Sequence, residues 1–391
     1  YGSADKGNLV LPGRQQALLK AVLDTGKPVV LVVDHYVPTF DRDAGSKTTY
    51  QYLKMFLKKG YVVKFIGDNY LHEEPYTSTL QQMGIEVLYG QEYLTGIWDW
   101  LGKNGKDIHV AYLNRPHIAT KYVDFIKEHT DIKMIYYGHD LHFMREFREY
   151  ELTGDVKKRQ ESEYWKSIEF SLFHKVAVSY YPSYVEEEAI HAVDETIPVK
   201  AITAYVYEEF LQNLNKDFAK REGLLFVGGF AHPPNADAVL WFAKEVFPKI
   251  REQIKVNFYI VGSKVTDEIK ALEQPGNGII VKGFVSEEEL ADLYRNCRIV
   301  VVPLRYGAGV KGKVVEAIYN GAPIVTTSVG SEGIPDVEKA RQPMFTTGGA
   351  ERSGMGFTIM ESFMDALRVR STPGKGTTVT MSRKIARRAG R

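Results

Sequence analysis

The chain has few cysteines, almost no net charge and no long apolar run. Its single cysteine, Cys297, excludes an intrachain disulfide and a cysteine-based zinc cluster. A formal net charge of +1 gives no reason to expect nucleic-acid binding. No apolar run reaches the roughly 18 to 20 residues that span a bilayer. Residues 1–5 have no signal-peptide pattern, so we expect a cytoplasmic globular protein.

An alternation of strand and helix patterns runs from residue 27 onward and predicts parallel sheets covered by helices. PVVLVV at residues 28–33 is a continuous apolar run, as expected of a strand buried on both faces. A length of 391 residues suggests two or three domains. The predicted strands are residues 28–33, 61–66, 85–89, 109–113, 133–137, 175–179, 199–204, 224–228, 256–262, 279–281, 299–303 and 324–327.

Three glycine-containing loops follow predicted strands, at residues 41–46, 228–232 and 305–313. In doubly wound sheets, ligands bind outside the carboxyl ends of the strands, where backbone N–H groups can approach a phosphate. The third loop carries Arg305, Lys311 and Lys313 and leads into a helix that contains Glu316. Cations and backbone N–H groups would suit a diphosphate, and a carboxylate nearby could accept from sugar hydroxyls.

These segments resemble a known enzyme family. LLFVGGFAHPPNADAVLWF (residues 224–242) and VVPLRYGAGVKGKVVEAIYNGAPIVTTSVGSEGI (residues 301–334) resemble the second domain of family 4 glycosyltransferases of the GT-B fold. VVDHYVPTFDRDAGSKTTYQYL (residues 32–53) resembles the start of their acceptor domain. The resemblance covers about residues 28–335. It implies an α/β GT-B fold, in which two Rossmann-like doubly wound domains face a cleft, and retaining transfer of a sugar from a nucleotide sugar.

The resemblance also implies roles for single residues. Glu316 matches the second glutamate of the family's paired-glutamate motif, which meets the nucleotide ribose, whereas Ala308 stands where the first glutamate is expected. The family's basic pair after the strand that ends at Gly228 is missing as well. We therefore assign the diphosphate to Arg305, Lys311 and Lys313. The predicted donor-binding residues are Gly45, Gly229, His232, Asn235, Arg305, Gly309, Lys311, Lys313 and Glu316.

Residues 138–142, Gly-His-Asp-Leu-His, follow a predicted strand of the first domain, where a catalytic cleft would open. Histidine or aspartate there could orient hydroxyls of the acceptor or the donor sugar. The predicted catalytic residues are His139, Asp140, His142 and Glu316. Residues 115–117 are a further loop candidate. Residues 41–43 resemble a metal-binding Asp-x-Asp triplet, but so short a motif recurs often, and we expect no metal and no cofactor.

The two ends resemble other families. Residues 7–33 resemble the second domain of family 3 glycoside hydrolases, which predicts a helix at residues 15–23 but no hydrolase activity. Residues 336–385 resemble the end of the sporulation anti-sigma factor, a GHKL-type serine kinase, and predict a helix at residues 357–367 followed by two strands. The kinase helix that supplies the Mg²⁺-binding Asn and the catalytic Glu is missing. We interpret the chain as a chimera without kinase activity.

The predicted domains are residues 1–27, 28–213, 214–335 and 336–391. They are a hydrolase-like extension, an acceptor-side domain, a nucleotide-sugar-binding domain and an anti-sigma-like segment with a basic tail. We favour a glycosyltransferase with a nucleotide-sugar donor and a glycan or lipid-linked acceptor. The alternatives are an inert chimeric scaffold that retains nucleotide-sugar binding, or an anti-sigma-like regulatory protein. The basic tail predicts a weak contact with an acidic membrane surface, at the inner face of the cell membrane.

Overall fold

The computed structural model describes residues 26–202, 204, 211, 217–331, 366–372 and 376–382. The predicted N-terminal helix at residues 15–23 and the basic tail lie outside these residues. Two parallel sheets and one short antiparallel hairpin make up the strands of the described part of the chain.

The first sheet has seven parallel strands in the order β3-β2-β1-β4-β5-β6-β7. Its strands are β1 (Val29–Asp34), β2 (Val62–Gly67), β3 (Glu86–Leu88), β4 (Val110–Asn114), β5 (Lys133–Tyr137), β6 (Val178–Tyr181) and β7 (Val199–Ala201). The helices between them are α1 (Ala44–Lys58), α2 (Tyr76–Gln82), α3 (Gln91–Asn104), α4 (Pro116–His129), α5 (His142–Thr153), α6 (Val156–Phe173) and α7 (Tyr184–His191).

Strand β1 shows why this sheet is buried on both faces. All six of its residues are buried, as the continuous apolar run predicts. Val29, Leu31 and Val33 enter one hydrophobic cluster, while Val30 and Val32 enter another. Because successive side chains of a strand point to opposite faces, the two clusters are the cores on the two sides of the sheet.

The second sheet has five parallel strands in the order β10-β9-β8-β11-β12. Its strands are β8 (Leu224–Val227), β9 (Phe258–Val261), β10 (Ile279–Gly283), β11 (Ile299–Val302) and β12 (Ile324–Thr326). The helices are α8 (Pro233–Trp241), α9 (Phe247–Gln253), α10 (Asp267–Lys270), α11 (Glu287–Asn296) and α12 (Gly312–Tyr319), with a π-helical turn at Phe242–Val246.

All twelve predicted strands of the two sheets are confirmed, with shifts at their ends. The largest shift at a start is that of β6, which begins at Val178 because residues 174–177 form the turn after α6. The helix start that the capping box predicts for α11 is also confirmed, since the Ser286 side chain accepts from the N–H of Glu289 at 3.2 Å.

One predicted helix is wrong where the structure describes it. Ala366 and Leu367 were expected at the end of a helix at residues 357–367, but they begin strand β13 (Ala366–Thr372). This strand pairs antiparallel with β14 (Gly376–Ser382), and Ala366 lies opposite Ser382. A residue that is paired with a neighbouring strand has an extended backbone, so Ala366 and Leu367 cannot belong to a helix. Residues 357–365 lie outside the described part of the chain.

The connection between the sheets lies at residues 202–223, because β7 ends at Ala201 and β8 begins at Leu224. The predicted boundary between residues 213 and 214 falls in this connection. Hereafter the first domain means residues 28–201 and the second domain means residues 217–331.

Candidate functional site

The two sheets have switch points, where neighbouring strands lead to helices on opposite sides and open a crevice at the carboxyl edge. In the first sheet this point lies between β1 and β4, and in the second it lies between β8 and β11. The residues just after these four strands, together with residues 138–142 after the neighbouring strand β5, therefore form the candidate site.

At the first switch point, buried Asp34 and partly buried Arg115 form an ion pair with 2.7 Å between Oδ1 and Nε. The hydroxyl of Thr49 donates to the other carboxylate oxygen of Asp34 at 2.8 Å. Although burial raises the pKa of Asp34, the Arg115 guanidinium and nearby histidines hold it well below its usual range. The pair therefore stays ionised and its charges cancel within the crevice.

Arg115 adopts a backbone conformation that favours glycine, with φ of 59°. Such a conformation persists only where its surroundings enforce it, and it concentrates at functional sites. Gly45, predicted to bind the donor, lies in the first turn of α1 against this side chain. A Cβ atom at Gly45 would come within 2.6 Å of Arg115 Nη2. The structure thus gives Gly45 a second role, which is to leave room for the guanidinium.

Neutral imidazoles surround this ion pair. Burial and, after it, the Arg115 guanidinium lower the pKa of His139 to about 3 and the pKa of His35 to about 4. The ring of His117 stacks on His35 with 6.2 Å between centroids. Within the described residues, Nε2 of His35 and Nε2 of His139 are buried without a hydrogen-bond partner. Uncharged imidazoles with a spare nitrogen suit hydroxyl groups of a ligand.

The predicted catalytic segment continues from His139 into the start of α5. Asp140 pairs with Arg145 of α5, and the ring of His142 contacts the carbonyl oxygen of Asp140 at 3.1 Å from Nδ1. Burial raises the pKa of Asp140, but Arg145 and His142 hold it well below its usual range. Burial lowers the pKa of His142 to about 4. This segment thus presents one carboxylate between two neutral imidazoles.

Two glutamates that the sequence analysis missed hold this segment from behind. Glu169 of α6 and Glu186 of α7 have no exposed surface, and both accept from backbone N–H groups at residues 141–143. Burial raises the pKa of each glutamate to about 8, while the N–H donors act in the opposite direction. No pattern marks these glutamates, since each lies on a helix and reaches its partners only in the folded chain.

In the second domain, Lys313 and Asn235 form the centre of the predicted diphosphate site. Lys313 Nζ donates to Asn235 Oδ1 at 2.5 Å, and Asn235 Nδ2 donates to the Gly229 carbonyl at 2.8 Å. Burial and the neighbouring cation of Lys311 lower the pKa of Lys313 to about 7. Lys311 turns back onto its own loop, where Nζ donates to the Ala308 carbonyl at 2.8 Å and contacts that of Gly309.

Arg305 lies farther out on the same loop. Its Nε donates to Asp237 Oδ2 at 2.9 Å, and its guanidinium lies 5.8 Å from the centroid of the Trp241 ring. Both partners belong to α8, so Arg305 holds this loop against that helix. His232 immediately precedes α8, and burial lowers its pKa to about 4 while the charge of Asp140 opposes the shift.

Glu316 accepts hydrogen bonds from residues of both domains. Its Oε1 accepts from Lys47 of the first domain at 2.6 Å, and its Oε2 accepts from the Tyr294 hydroxyl at 3.2 Å. The resemblance assigns Glu316 to the nucleotide ribose, so a bound ribose would compete with Lys47 for the same carboxylate. Lys47 thus borders the candidate site, and no sequence pattern identified it.

The loop at residues 305–313 closes against the first domain. Arg148 of α5 donates to the Gly307 carbonyl at 2.6 Å. A Cβ atom at Gly309 would come within 2.9 Å of the His139 carbonyl oxygen. Ala308, which stands where the family's first glutamate is expected, packs into a hydrophobic cluster of the first domain and is 8% exposed. The structure thus brings the predicted catalytic segment and the predicted donor loop into contact.

The Asp-x-Asp triplet has other partners. Asp41 accepts from the Tyr76 hydroxyl at 2.7 Å, and Asp43 accepts from the N–H of Ser46 at 2.8 Å as the N-cap of α1. Among the described residues, no group of three or more His, Cys, Asp or Glu side chains is arranged to hold a metal ion.

None of the helices in the described ranges is both long and apolar enough to cross a bilayer.

The curated relatives match a short part of the chain. The anti-sigma F factor of Caldanaerobacter subterraneus is 63% identical over 57 residues, which is 14% of this chain and 40% of that protein. The anti-sigma F factor of Bacillus subtilis is 42% identical over 85 residues, or 21% of this chain and 58% of that protein. The chain therefore spans only about half the length of these relatives, and the predicted resemblance to them is confirmed for that part.

The remaining comparisons concern the two sheets. Residues 221–352 match the family model of glycosyl transferases group 1. The sucrose-phosphate synthase of Thermosynechococcus elongatus superposes with a TM-score of 0.60 at 15% identity, over 81% of this chain and 84% of that one. The HepE protein of Anabaena, solved with UDP and glucose, superposes with a TM-score of 0.55 at 13% identity, over 78% and 81%. The chain therefore has the predicted α/β GT-B fold, and residues 221–352 match the glycosyl transferases group 1.

Proposed function

We propose that this protein is a retaining glycosyltransferase that moves a sugar from a nucleotide-sugar donor, of the UDP-glucose kind, to a hydroxyl group of an acceptor. The observation that carries the proposal is the contact between the cationic loop at residues 305–313 and the His139 segment across the crevice. The HepE protein of Anabaena has been solved with UDP and glucose and also with UDP-glucose, which supports this choice of donor.

In the proposed complex, the diphosphate lies against the loop that carries Lys311 and Lys313, and the ribose hydroxyls bond to Glu316. Lys313 already donates to Asn235 Oδ1, so an anionic oxygen would take over from a neutral amide as its acceptor. His139, Asp140 and His142 would contact sugar or acceptor hydroxyls on the opposite wall. Arg305 contributes charge at the rim while it remains paired with Asp237.

The proposed reaction breaks the bond between the anomeric carbon and the terminal phosphate oxygen and forms one from the acceptor oxygen on the same face of the sugar. The acceptor proton passes to the departing phosphate oxygen, and a nucleoside diphosphate leaves. Because negative charge grows on the leaving group, cations and N–H donors fixed beside it accelerate the step. The protein's own lysines supply that positive charge in this scheme.

Two further interpretations have an observation in their favour. The burial of Ala308, where the family's first glutamate is expected, favours a scaffold that binds a nucleotide sugar without turnover. The identity to anti-sigma F factors favours a regulatory role. A glycan or lipid-linked acceptor and a weak contact of the basic tail with an acidic membrane remain proposals.

The first test measures thermal stability with UDP-, GDP-, ADP- and TDP-sugars beside ATP and buffer. A ligand at 100 times its dissociation constant adds about 2.7 kcal/mol to the free energy of unfolding. We expect UDP-glucose to raise the melting temperature of the wild type and of Lys270→Ala, an exposed lysine of α10, but not of Lys311→Ala. A shift with ATP alone would instead support the anti-sigma interpretation.

The second test follows the products. Release of UDP from UDP-glucose in the presence of acceptor candidates tests turnover, and NMR of the anomeric proton of the product tests retention. Binding without release of UDP would support the inert scaffold.

A further inference from the structure

Three consecutive backbone N–H groups lie where α5 begins. They belong to Leu141, His142 and Phe143, at the amino end of the helix, where a backbone N–H has no acceptor within its own helix. The N–H of Leu141 donates to Glu186 Oε1 at 2.9 Å. The N–H groups of His142 and Phe143 donate to the two oxygens of Glu169, at 2.9 and 3.1 Å. Two fully buried glutamates thus satisfy all three donors.

We propose that Glu169 is a positioning residue for the sugar-transfer reaction, which it serves by fixing the backbone that carries His139, Asp140 and His142. This inference rests on the proposed function. Glu169 has no exposed surface, and its partners all lie in the first domain. Besides the two N–H groups, Oε1 lies 3.5 Å from the Tyr181 hydroxyl and 3.6 Å from Nδ1 of His142.

The chemistry of the two glutamates differs in a way that separates their roles. Both oxygens of Glu169 accept from backbone N–H groups, which can only donate. Glu186 accepts one N–H, and its other oxygen accepts from the Ser183 hydroxyl at 3.1 Å. A hydroxyl can donate or accept, so it can reverse its role when the neighbour changes. The two sites therefore respond differently to the same substitution.

Glu169→Gln puts an amide NH₂ against the N–H of either His142 or Phe143, whichever way the amide turns. One buried donor then loses its acceptor and the start of α5 must shift. In Glu186→Gln, the amide oxygen keeps the N–H of Leu141, and the NH₂ group donates to the Ser183 hydroxyl. Glu186→Gln is therefore the comparison variant, because it makes the same change at a carboxyl that is equally buried and holds the neighbouring N–H group.

The experiment compares kcat and KM for UDP-glucose in the full chain with wild-type, E169Q and E186Q sequences, at equal folded fraction. We expect E169Q to lower kcat by about 10-fold to 100-fold, as displaced reacting groups do, with KM changed less. We expect E186Q to lower kcat less than E169Q does, because the N–H of Leu141 and the Ser183 hydroxyl both keep a partner. Equal kinetics for the two variants would overturn the inference.

Amide hydrogen exchange at residues 141–143, followed by NMR, reports the same contacts without turnover. In E169Q we expect the amides of His142 and Phe143 to exchange faster, while E186Q leaves all three as protected as in wild type. If the wild type does not turn over any nucleotide sugar, the proposed function fails, and the exchange data still decide whether Glu169 fixes the start of α5. If the amides of His142 and Phe143 exchange no faster in E169Q than in E186Q, Glu169 does not fix this backbone and the inference is overturned.

Discussion

Lys313 is partly buried beside a second cation, and both conditions favour its uncharged form. Burial and the cation of Lys311 lower its pKa to about 7, although the Glu316 carboxylate raises it. Its contacts are the Asn235 amide oxygen and the face of the Phe226 ring, whose centroid lies 4.8 Å from Nζ. Near neutral pH the amine is thus divided between charged and uncharged forms, which makes the site sensitive to pH.

This sensitivity leads to a prediction for donor binding. A diphosphate binds the charged amine, so the protein must take up a proton when it binds UDP-glucose above pH 7. We expect the dissociation constant to rise by up to about tenfold per pH unit between pH 7 and 8.5. Lys313→Arg should remove the dependence because arginine stays charged, whereas Lys311→Arg should retain it. Calorimetric titration in buffers of different ionisation enthalpy measures both the affinity and the proton uptake. An affinity of the wild type that does not change with pH would contradict this prediction.

The sequence predicts part of this residue-level picture. Asn235 and Lys313 each follow the end of a strand at the second switch point, so a ligand-binding loop pattern identifies both. Glu169, Glu186 and Lys47 escape such reasoning, because their partners are brought to them by tertiary structure and no local pattern marks them. Arg115 is an intermediate case. The sequence shows that it follows a predicted strand, but only the structure shows its ion pair with Asp34.

At the scale of the element, the loop between β11 and α12 depends on two glycines with positive φ, of which Gly309 is the more constrained. Its φ is 74°, and a Cβ atom there would come within 2.9 Å of the His139 carbonyl oxygen. Gly276, before β10, has a φ of 78° with no atom within 4 Å of such a Cβ. The two positions thus share the backbone conformation and differ in their neighbours.

We expect Gly309→Ala and Gly276→Ala each to lower the free energy of unfolding by about 1 to 2 kcal/mol, the cost of a side chain in the left-handed conformation. Only Gly309→Ala should also weaken donor binding, because the loop must move away from the His139 segment. Urea unfolding and titration with UDP-glucose measure the two effects separately. If Gly309→Ala bound the donor as tightly as Gly276→Ala, the contact with His139 would have no part in the site.

Sequence patterns predict the elements of the two sheets well because their cause is local. Parallel strands buried on both faces must be continuously apolar, and a helix start such as that of α11 carries its own hydrogen-bonding residues. The C-terminal prediction lacked such a cause, since it rested on a resemblance alone. There the residues at the end of the predicted helix, Ala366 and Leu367, entered a strand pair.

At the scale of the whole molecule, the ion pair between Lys47 and Glu316 links the two domains. Its side chains are 28% and 16% exposed, so we expect it to stabilise the closed arrangement by less than about 1 kcal/mol. Each domain has its own hydrophobic cores, so a small coupling energy suffices to change how cooperatively the domains unfold.

We therefore expect Lys47→Ala to separate the unfolding of the two domains in a calorimetric scan. Lys64→Ala, which breaks an ion pair with Glu86 inside the first sheet, should shift the first domain without changing the coupling. The ratio of calorimetric to van't Hoff enthalpy measures the change. A ratio equal to that of the wild type in Lys47→Ala would show that the ion pair does not couple the domains.

The position of Ala308 affects whether one domain of this protein could be exchanged for the matching domain of a relative. This alanine belongs to the second domain by chain order, yet it is part of a hydrophobic cluster of the first domain that also contains Leu141. A donor domain exchanged for that of a relative would bring the relative's side chain into this core. If that side chain were the glutamate of the family motif, a carboxylate would enter an apolar wall. An exchange of domains in this protein would therefore require matching changes in this cluster of the first domain and in the loop at residues 305–313.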